Sequence, residues 1–349
     1  MSNRFLRACR LEPVDATPVW FMRQAGRSFA GYRNLRKRYG ILELAKTPEL
    51  CAEVTLMPVH ELGVDAAVMF ADIMLPLEPM GVELRIEPEI GPIIDNPIRS
   101  ADDVAALRPF EPDGVPFTLE AIRMVRRALD GRAGVIGFSG APFTLACYLI
   151  EGRPSRDFPT AKAFMYREPG AWHDLMARLA SMAIAYLGAQ VDAGADVIQL
   201  FDSWVGGLGP GDYATYVQPH VRRIFESLSV PAIHFGTGAS GLLELMADAG
   251  GNIIGIDHRV SLDEAWRRVG HDRGIQGNLD SARVVAGWEA TEAGARSILA
   301  EAAGRSGHIF NLGHGVMPGS DPDVLRRLVD LVHEVSSRHP EAPIEAVVA

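Results

Sequence analysis

The sequence predicts an α/β fold of the eight-stranded barrel kind, a TIM (β/α)8 architecture in a single domain over residues 1–349. Three observations carry this. Eight short apolar segments recur along the chain at 18–22, 65–70, 134–138, 196–201, 231–235, 252–256, 274–276 and 308–312. Amphipathic helical patterns separate them, and polar residues follow the segments directly. Most of the eight are near-continuous apolar runs, as expected of strands covered on both faces in a parallel sheet. A doubly wound open sheet would also alternate strand and helix, but it does not need eight strand ends to converge.

The helical patterns fall at 48–62, 171–193, 213–228, 239–249, 262–269, 286–303 and 322–336. Pro48, Pro169 and Pro322 stand near helix starts, where a missing N–H costs nothing, with Thr47 and Asp321 as candidate N-caps. Gly250-Gly251 and Gly304 are candidate stops. Residues 80–98 break the alternation: Val82, Leu84 and Ile86 alternate with polar residues in a Pro- and Gly-rich setting, which predicts a small β-hairpin insertion outside the barrel.

The chain carries 48% hydrophobic, 22% charged and 7% aromatic residues, the profile of an ordinary globular enzyme. A net charge of −10 argues against general nucleic-acid binding. Cys9, Cys51 and Cys147 are too few and too far apart for a disulfide framework or a CxxC metal site, which fits a reducing cytoplasm. No signal-like segment follows the basic N-terminal residues, and the longest uncharged run contains Gly137, Ser139, Gly140 and Pro142, so no membrane span is expected.

Charge is unevenly placed. The first forty residues hold nine Lys/Arg against Glu12 and Asp15 in an otherwise acidic chain. Within them, Trp20-Phe21-Met22-Arg23-Gln24-Ala25-Gly26-Arg27 ends an apolar strand on two arginines, and Arg33, Arg36, Lys37 and Arg38 follow. Such a concentrated field suits capture of a multiply charged anion. Arg4, Arg7 and Arg10 read as a solvated arm.

After the other strands come Asp72, Ser139, Asp202-Ser203, Gly236-Thr237-Gly238, Asp257-His258, Asn278, and Asn311 with His314. Asp72 is a carboxylate in apolar surroundings, either a structural ion-pair partner or a functional group with a perturbed pKa. Tyr148, on the helix after Gly140-Ala141-Pro142-Phe143-Thr144-Leu145, reads first as a core tyrosine with a satisfied hydroxyl, and only second as a functional phenol. Asp202-Ser203-Trp204 before Gly206-Gly207 reads as a cap and turn, or as an anion-binding loop. His314 lies between Gly313 and Gly315, where backbone can approach a ligand closely, whereas His60, His173, His220 and His271 read as surface or core residues. There is no GxGxxG opening a helix, P-loop, HExxH or Cys/His cluster, so neither a nucleotide cofactor nor a metal is expected.

The sequence resembles the uroporphyrinogen decarboxylase family. The runs that carry the resemblance are Phe21-Met22-Arg23-Gln24-Ala25-Gly26-Arg27, Phe70-Ala71-Asp72-Ile73, Gly140-Ala141-Pro142-Phe143-Thr144-Leu145 with Tyr148, Phe201-Asp202-Ser203-Trp204, His234-Phe235-Gly236, Gly277-Asn278-Leu279-Asp280 and Asn311-Leu312-Gly313-His314-Gly315. They occur in the family's order over nearly the whole chain. The resemblance implies a cytoplasmic TIM-barrel homodimer that removes the four acetate carboxyl groups of uroporphyrinogen III with no cofactor and no metal. It implies that Arg23, Arg27 and Arg36 hold substrate carboxylates, that Asp72 is the central carboxylate with Arg23 and Arg27 catalytic beside it, and that Tyr148, Ser203 and His314 contact substrate. Two stretches depart from the family pattern: Ser28-Phe29-Ala30-Gly31 after Arg27, and Arg153 after Glu151-Gly152.

Two other functions compete with this one. A corrinoid-dependent methyltransferase of the same superfamily would need a zinc-binding His-x-Cys, and Gly236 stands where that cysteine would be. A non-catalytic tetrapyrrole-binding protein would not need the combined Arg, Asp, Tyr and His set.

Overall fold

The structure, a computed structural model, describes residues 3–26, 28–87 and 90–338. Seven parallel strands form its main sheet: β1 (Ala66–Val68), β4 (Gly134–Gly140), β5 (Val197–Asp202), β6 (Ala232–Gly236), β7 (Ile253–Gly255), β8 (Gly274–Leu279) and β9 (His308–Leu312), hydrogen-bonded in that order. Between β1 and β4 in the chain lies the predicted insertion, an antiparallel hairpin of β2 (Leu84–Glu87) and β3 (Gly91–Ile94).

The eighth stave is the segment expected at 18–22, and it joins both ends of the sheet. Val19 forms a parallel bridge with Phe310 of β9, flanked by Phe310 N–H donating to the Pro18 carbonyl at 2.9 Å. On the other side the Asp65 N–H donates to the Val19 carbonyl at 2.8 Å, just before β1. A regular ladder does not form there because Pro18 has no N–H and the Val19 N–H is taken by the Asp65 side chain at 2.7 Å. The curled sheet is thereby closed. Inside it, Trp20 Nε1 donates to Gln276 Oε1 and Gln276 Nε2 to Gln199 Oε1, both at 3.0 Å, so three staves are linked across the interior by polar side chains with almost no exposure.

Helices cover the outside. Pro48–Leu62 and Leu262–Val269 have the expected limits, and Pro169–Ala193, Trp288–Ala302 and Pro322–Val335 lie within two residues of theirs. The pattern at 213–228 is instead two helices, Pro210–Tyr216 and Gln218–Ser227, because Pro219 disfavours a continuous helix through Val217. The 239–249 pattern opens with a tight turn at Ser240–Leu242 before the helix Leu243–Ala249. Of the two proposed caps, Asp321 accepts the Asp323 N–H at 2.9 Å, while the Thr47 side chain makes no capping bond to the helix that starts at Pro48. Gly250 ends its helix, but at the other stop Ala303 itself takes the left-handed turn before Gly304.

Arg4, Arg7 and Arg10 are not on a free arm. Residues Arg4–Cys9 form a helix capped by Asn3, and Phe5, Ala8 and Cys9 are buried. Phe5 presses on the start of β4 so closely that a Cβ at Gly134 would lie 2.5 Å from its ring. Arg4 reaches the exposed Asp15 at 2.6 Å and the mostly buried Asp65 at 3.3 Å, and Arg7 pairs with the exposed Glu12 at 3.4 Å. Among the described residues no helix is long and apolar enough to cross a membrane.

Asp65 is the common node of this closure. Its carboxylate takes the Val19 N–H, His333 Nε2 at 2.7 Å from the last helix, and Arg4 from the first. Asp65→Ala leaves these donors unmatched in a site where the Asp65 side chain is only 12% exposed. The expected loss is about 2–4 kcal/mol of unfolding free energy in urea, and a loss within about 0.5 kcal/mol of zero would contradict the role given to Asp65.

Candidate active site

The residues that follow the strands gather at the C-terminal rim of the barrel, where loops can vary without disturbing the sheet. The first loop is held from below. Gln24 is fully buried: its Oε1 accepts the Phe21 N–H at 2.9 Å and its Nε2 donates to the Ala66 carbonyl at 2.9 Å. Met22 is fixed on the opposite side, its N–H on Asn311 Oδ1 at 3.2 Å and its carbonyl accepting from the Val316 N–H at 2.8 Å. Between these anchors Arg23 takes a left-handed backbone conformation, φ 57°, unfavourable for a side-chain-bearing residue. The turn leaves Arg23 exposed at the mouth.

Gly315 makes room for it. A Cβ there would lie 2.5 Å from Arg23 Cδ, and one at Gly313 would lie 2.5 Å from the His258 backbone N. The glycines around His314 therefore allow close packing between rim loops. Arg27 lies outside the described residues.

Asp72 follows β1 by four residues. The intervening chain is tied to the helix Pro48–Leu62 by the Phe70 N–H on Thr55 Oγ1 at 2.9 Å and by Cys51 Sγ–H on the Phe70 carbonyl at 3.0 Å. Oδ1 of Asp72 accepts the Met74 N–H at 2.9 Å. Burial pushes the Asp72 pKa above the usual carboxylate range; the Met74 N–H and the Arg23 charge pull against that, and Glu78 reinforces it. The residue is half-buried, with one backbone donor and the Arg23 charge favouring its ionised form.

Tyr148 projects from the helix Pro142–Glu151 after β4. Its phenol is pushed up to about 12, first by burial and then by the negative charge of Asp72, with Arg23 opposing. It therefore remains an O–H donor at neutral pH. Its ring packs on Trp204 with centroids 4.1 Å apart, and Phe158 stacks on Trp204 at 4.5 Å.

His314 is lowered below the ordinary histidine value by burial and then by the charges of Arg23 and Arg259, with Asp257 opposing. Its Nδ1 accepts the Gly315 N–H at 2.8 Å, so in the neutral ring the proton sits on Nε2. Arg23, Asp72, Tyr148 and His314 thus share one electrostatic neighbourhood. Ser203 is adjacent to the stacked Trp204, and its carbonyl accepts a close hydrogen bond from Thr237 Oγ1. Arg36 stands apart: at the end of the helix Ala30–Arg36 its guanidinium donates to the Tyr39 carbonyl at 2.6 Å.

Arg259 and Trp204 were not singled out as site residues from the sequence. The Arg259 guanidinium binds Asp257 Oδ2, which also accepts the Gly238 N–H at 2.6 Å, and its charge reaches His314. The position of Asp257 at a strand end was the available signal. Among the described residues no group of three or more His, Cys, Asp or Glu could hold a metal ion, and all three cysteines are buried and free.

The family model described as uroporphyrinogen decarboxylase (URO-D) matches residues 1–335. A protein named uroporphyrinogen decarboxylase from Sorangium cellulosum (strain So ce56) is 53% identical over 339 residues, 96% of this chain and 97% of that one. Another of that name, from Roseiflexus sp. (strain RS-1), is 53% identical over 344 residues, 96% of this chain and 99% of that one. Among solved structures, a methyltransferase from Methanosarcina mazei superposes with a TM-score of 0.77 over 95% of this chain and 98% of that one, at 22% identity, a likeness of fold alone. With the family matched over 1–335 and relatives at 53% identity, this chain belongs to the uroporphyrinogen decarboxylase family.

Proposed function

We propose that this chain is a uroporphyrinogen III decarboxylase, which removes the four acetate carboxyl groups to give coproporphyrinogen III without an organic cofactor or a metal. The observation that supports it most is a half-buried carboxylate, Asp72, that follows a strand at the barrel rim within the electrostatic reach of the exposed Arg23 guanidinium. The substrate has the complementary pattern, with eight carboxylates at its edge and four pyrrole N–H groups at its centre.

Loss of carbon dioxide from an acetate arm needs an acceptor for its electron pair. Protonation of a pyrrole carbon makes the ring cationic; the carboxylate leaves as carbon dioxide, the electron pair enters the ring, the methylene carbon takes a proton to become methyl, and the ring carbon gives up the proton it first took, restoring the pyrrole. Asp72, ionised, accepts pyrrole N–H hydrogen bonds and stabilises the cation as it forms. Such a group acts by standing ready before charge develops. Arg23 and Arg27 hold carboxylates, with Arg36 a further candidate, since guanidinium matches carboxylate in two-point contacts. One of the first two helps deliver the proton. Tyr148 offers a phenol O–H, His314 an Nε2–H, and Ser203 a hydroxyl to orient the reacting ring and its arms.

The reading extends to residues 1–349 as one barrel domain acting in the cytoplasm as a homodimer, in keeping with three free buried cysteines and with the resemblance to the family. No nucleic acid or membrane partner belongs to it.

Anaerobic incubation with uroporphyrinogen III, oxidation and chromatography should yield porphyrins with seven, six, five and four carboxylates. Their absence would overturn the proposal. Asp72→Asn should lower kcat by about 10² or more, as removal of a preorganised charge-stabilising group does; parental turnover would remove Asp72 from its central role.

The pH profile follows from the direction of the Asp72 shift. The carboxylate is the active form, so activity is present above its pKa and lost as pH falls through it. Because burial raises that pKa, the acid limb of kcat/KM should lie above about 4, the ordinary aspartate value. The residual activity of Asp72→Asn should lack this limb, and an identical limb in both proteins would assign it to the substrate instead.

A further inference from the structure

Two motifs, the run from Gly140 to Leu145 and Asp202-Ser203-Trp204, are used only in part by the chemistry above. They meet at one hydroxyl. Asp202 ends β5 and is fully buried, and Thr144, in the first turn of the Tyr148 helix, is 1% exposed. Thr144 Oγ1 lies 3.3 Å from Asp202 Oδ1 and 3.3 Å from the Trp204 backbone N. A carboxylate oxygen accepts and a backbone N–H donates, so the roles are set: the hydroxyl donates to Asp202 and accepts from Trp204.

Asp202 has little else. Its Oδ2 has no hydrogen-bond partner among the described residues. His234 Nε2 faces it at 3.8 Å, beyond hydrogen-bond reach, and His234 Nδ1 lies 3.2 Å from the Met246 carbonyl, which can only accept. A fully buried carboxylate with a single side-chain donor is a costly arrangement. Thr144 is also an unusual donor to supply it. Threonine hydroxyls in helices ordinarily turn back onto their own backbone, whereas this one reaches across to the next strand.

The consequence is geometric. Tyr148 stands one helical turn beyond Thr144, and its ring meets that of Trp204 at 4.1 Å. The segment Asp202–Trp204 is therefore fastened to the helix twice, by hydroxyl and by ring. A ring contact alone permits sliding; the hydroxyl bond to the Trp204 N–H removes that freedom. β-Branching further limits Thr144 to few side-chain rotamers.

We infer that Thr144 and Asp202 are positioning residues for the decarboxylation, holding Trp204 against Tyr148 and so setting the Tyr148 hydroxyl and Ser203 relative to Asp72. This rests on the reading of Tyr148 and Ser203 as substrate contacts. The Asp202 carboxylate does not touch substrate in this role; it acts through the Thr144 hydroxyl.

The test uses full-length protein labelled with 5-fluorotryptophan, with the Trp204 fluorine resonance assigned by Trp204→Phe, and kcat and KM measured anaerobically with uroporphyrinogen III. Thr144→Val keeps the volume and removes both hydroxyl bonds. It should shift or broaden the Trp204 resonance, leave the four other tryptophan resonances in place, and lower kcat on the order of 10- to 100-fold with KM changed by less than about threefold. Thr144→Ser should restore both readings. Parental resonance and kcat in Thr144→Val, or failure of Thr144→Ser to restore them, overturns the inference.

Asp202→Asn provides a second variant that does not depend on Thr144→Val folding. Its amide oxygen still accepts from Thr144 and its NH2 can donate to His234, so the Trp204 resonance and most of kcat should survive; loss of both in a folded protein overturns the hydrogen-bonding role. If the parent protein shows no decarboxylation, the proposed function fails by itself, and the Trp204 resonance still decides whether the clamp exists.

Discussion

The site depends on one electrostatic balance, the desolvation of the half-buried Asp72 carboxylate set against the field of Arg23. Burial is the larger effect and raises the pKa; the Met74 N–H and the guanidinium return part of what solvent would have supplied. A carboxylate kept short of donors is a strong acceptor for N–H groups brought by a ligand. The same negative charge raises the phenol of Tyr148, and the same guanidinium lowers the imidazole of His314. Both neighbours are thereby biased towards neutral, proton-bearing forms that can donate hydrogen bonds.

Holding a guanidinium in that place costs backbone freedom, which the barrel supplies from three directions. Gln24 below, Asn311 beside and Gly315 against the side chain fix a left-handed Arg23. The stave that carries Arg23 is also the one that closes the ring through Asp65, His333 and Arg4. Closure of the fold and placement of the cation are consequently the same structural event. A fault at the N-terminal end of the barrel would be felt at the rim on the opposite end.

Much of the architecture was legible because it rests on local periodicity. Seven of the eight apolar segments became strands of the sheet and the eighth a bridging segment at Val19, and helices such as Pro48–Leu62 kept their predicted limits. What periodicity missed has specific causes. The reading of Arg4, Arg7 and Arg10 as a solvated arm overlooked the buried Phe5, Ala8 and Cys9 that pack their helix, although Arg10 itself is exposed, and Pro219 splits a pattern whose apolar spacing runs on unbroken. Thr47 has the right chemistry for a cap but makes no such bond. Within the site, strand ends pointed to Arg23, Asp72 and His314, since rim residues follow strands directly. The left-handed turn at Arg23 has no glycine to announce it, and the Tyr148–Trp204 contact joins separate strand-to-helix loops, which no local pattern encodes.

The most direct measurement is a carbon-13 titration of aspartate carboxyl groups in the purified protein, with the Asp72 signal assigned by Asp72→Asn. In the free protein Asp72 should titrate above the ordinary value of about 4, and bound coproporphyrinogen III should lower that midpoint as its pyrrole N–H groups donate to the carboxylate. An Asp72 midpoint at the ordinary value, unmoved by ligand, would contradict the account.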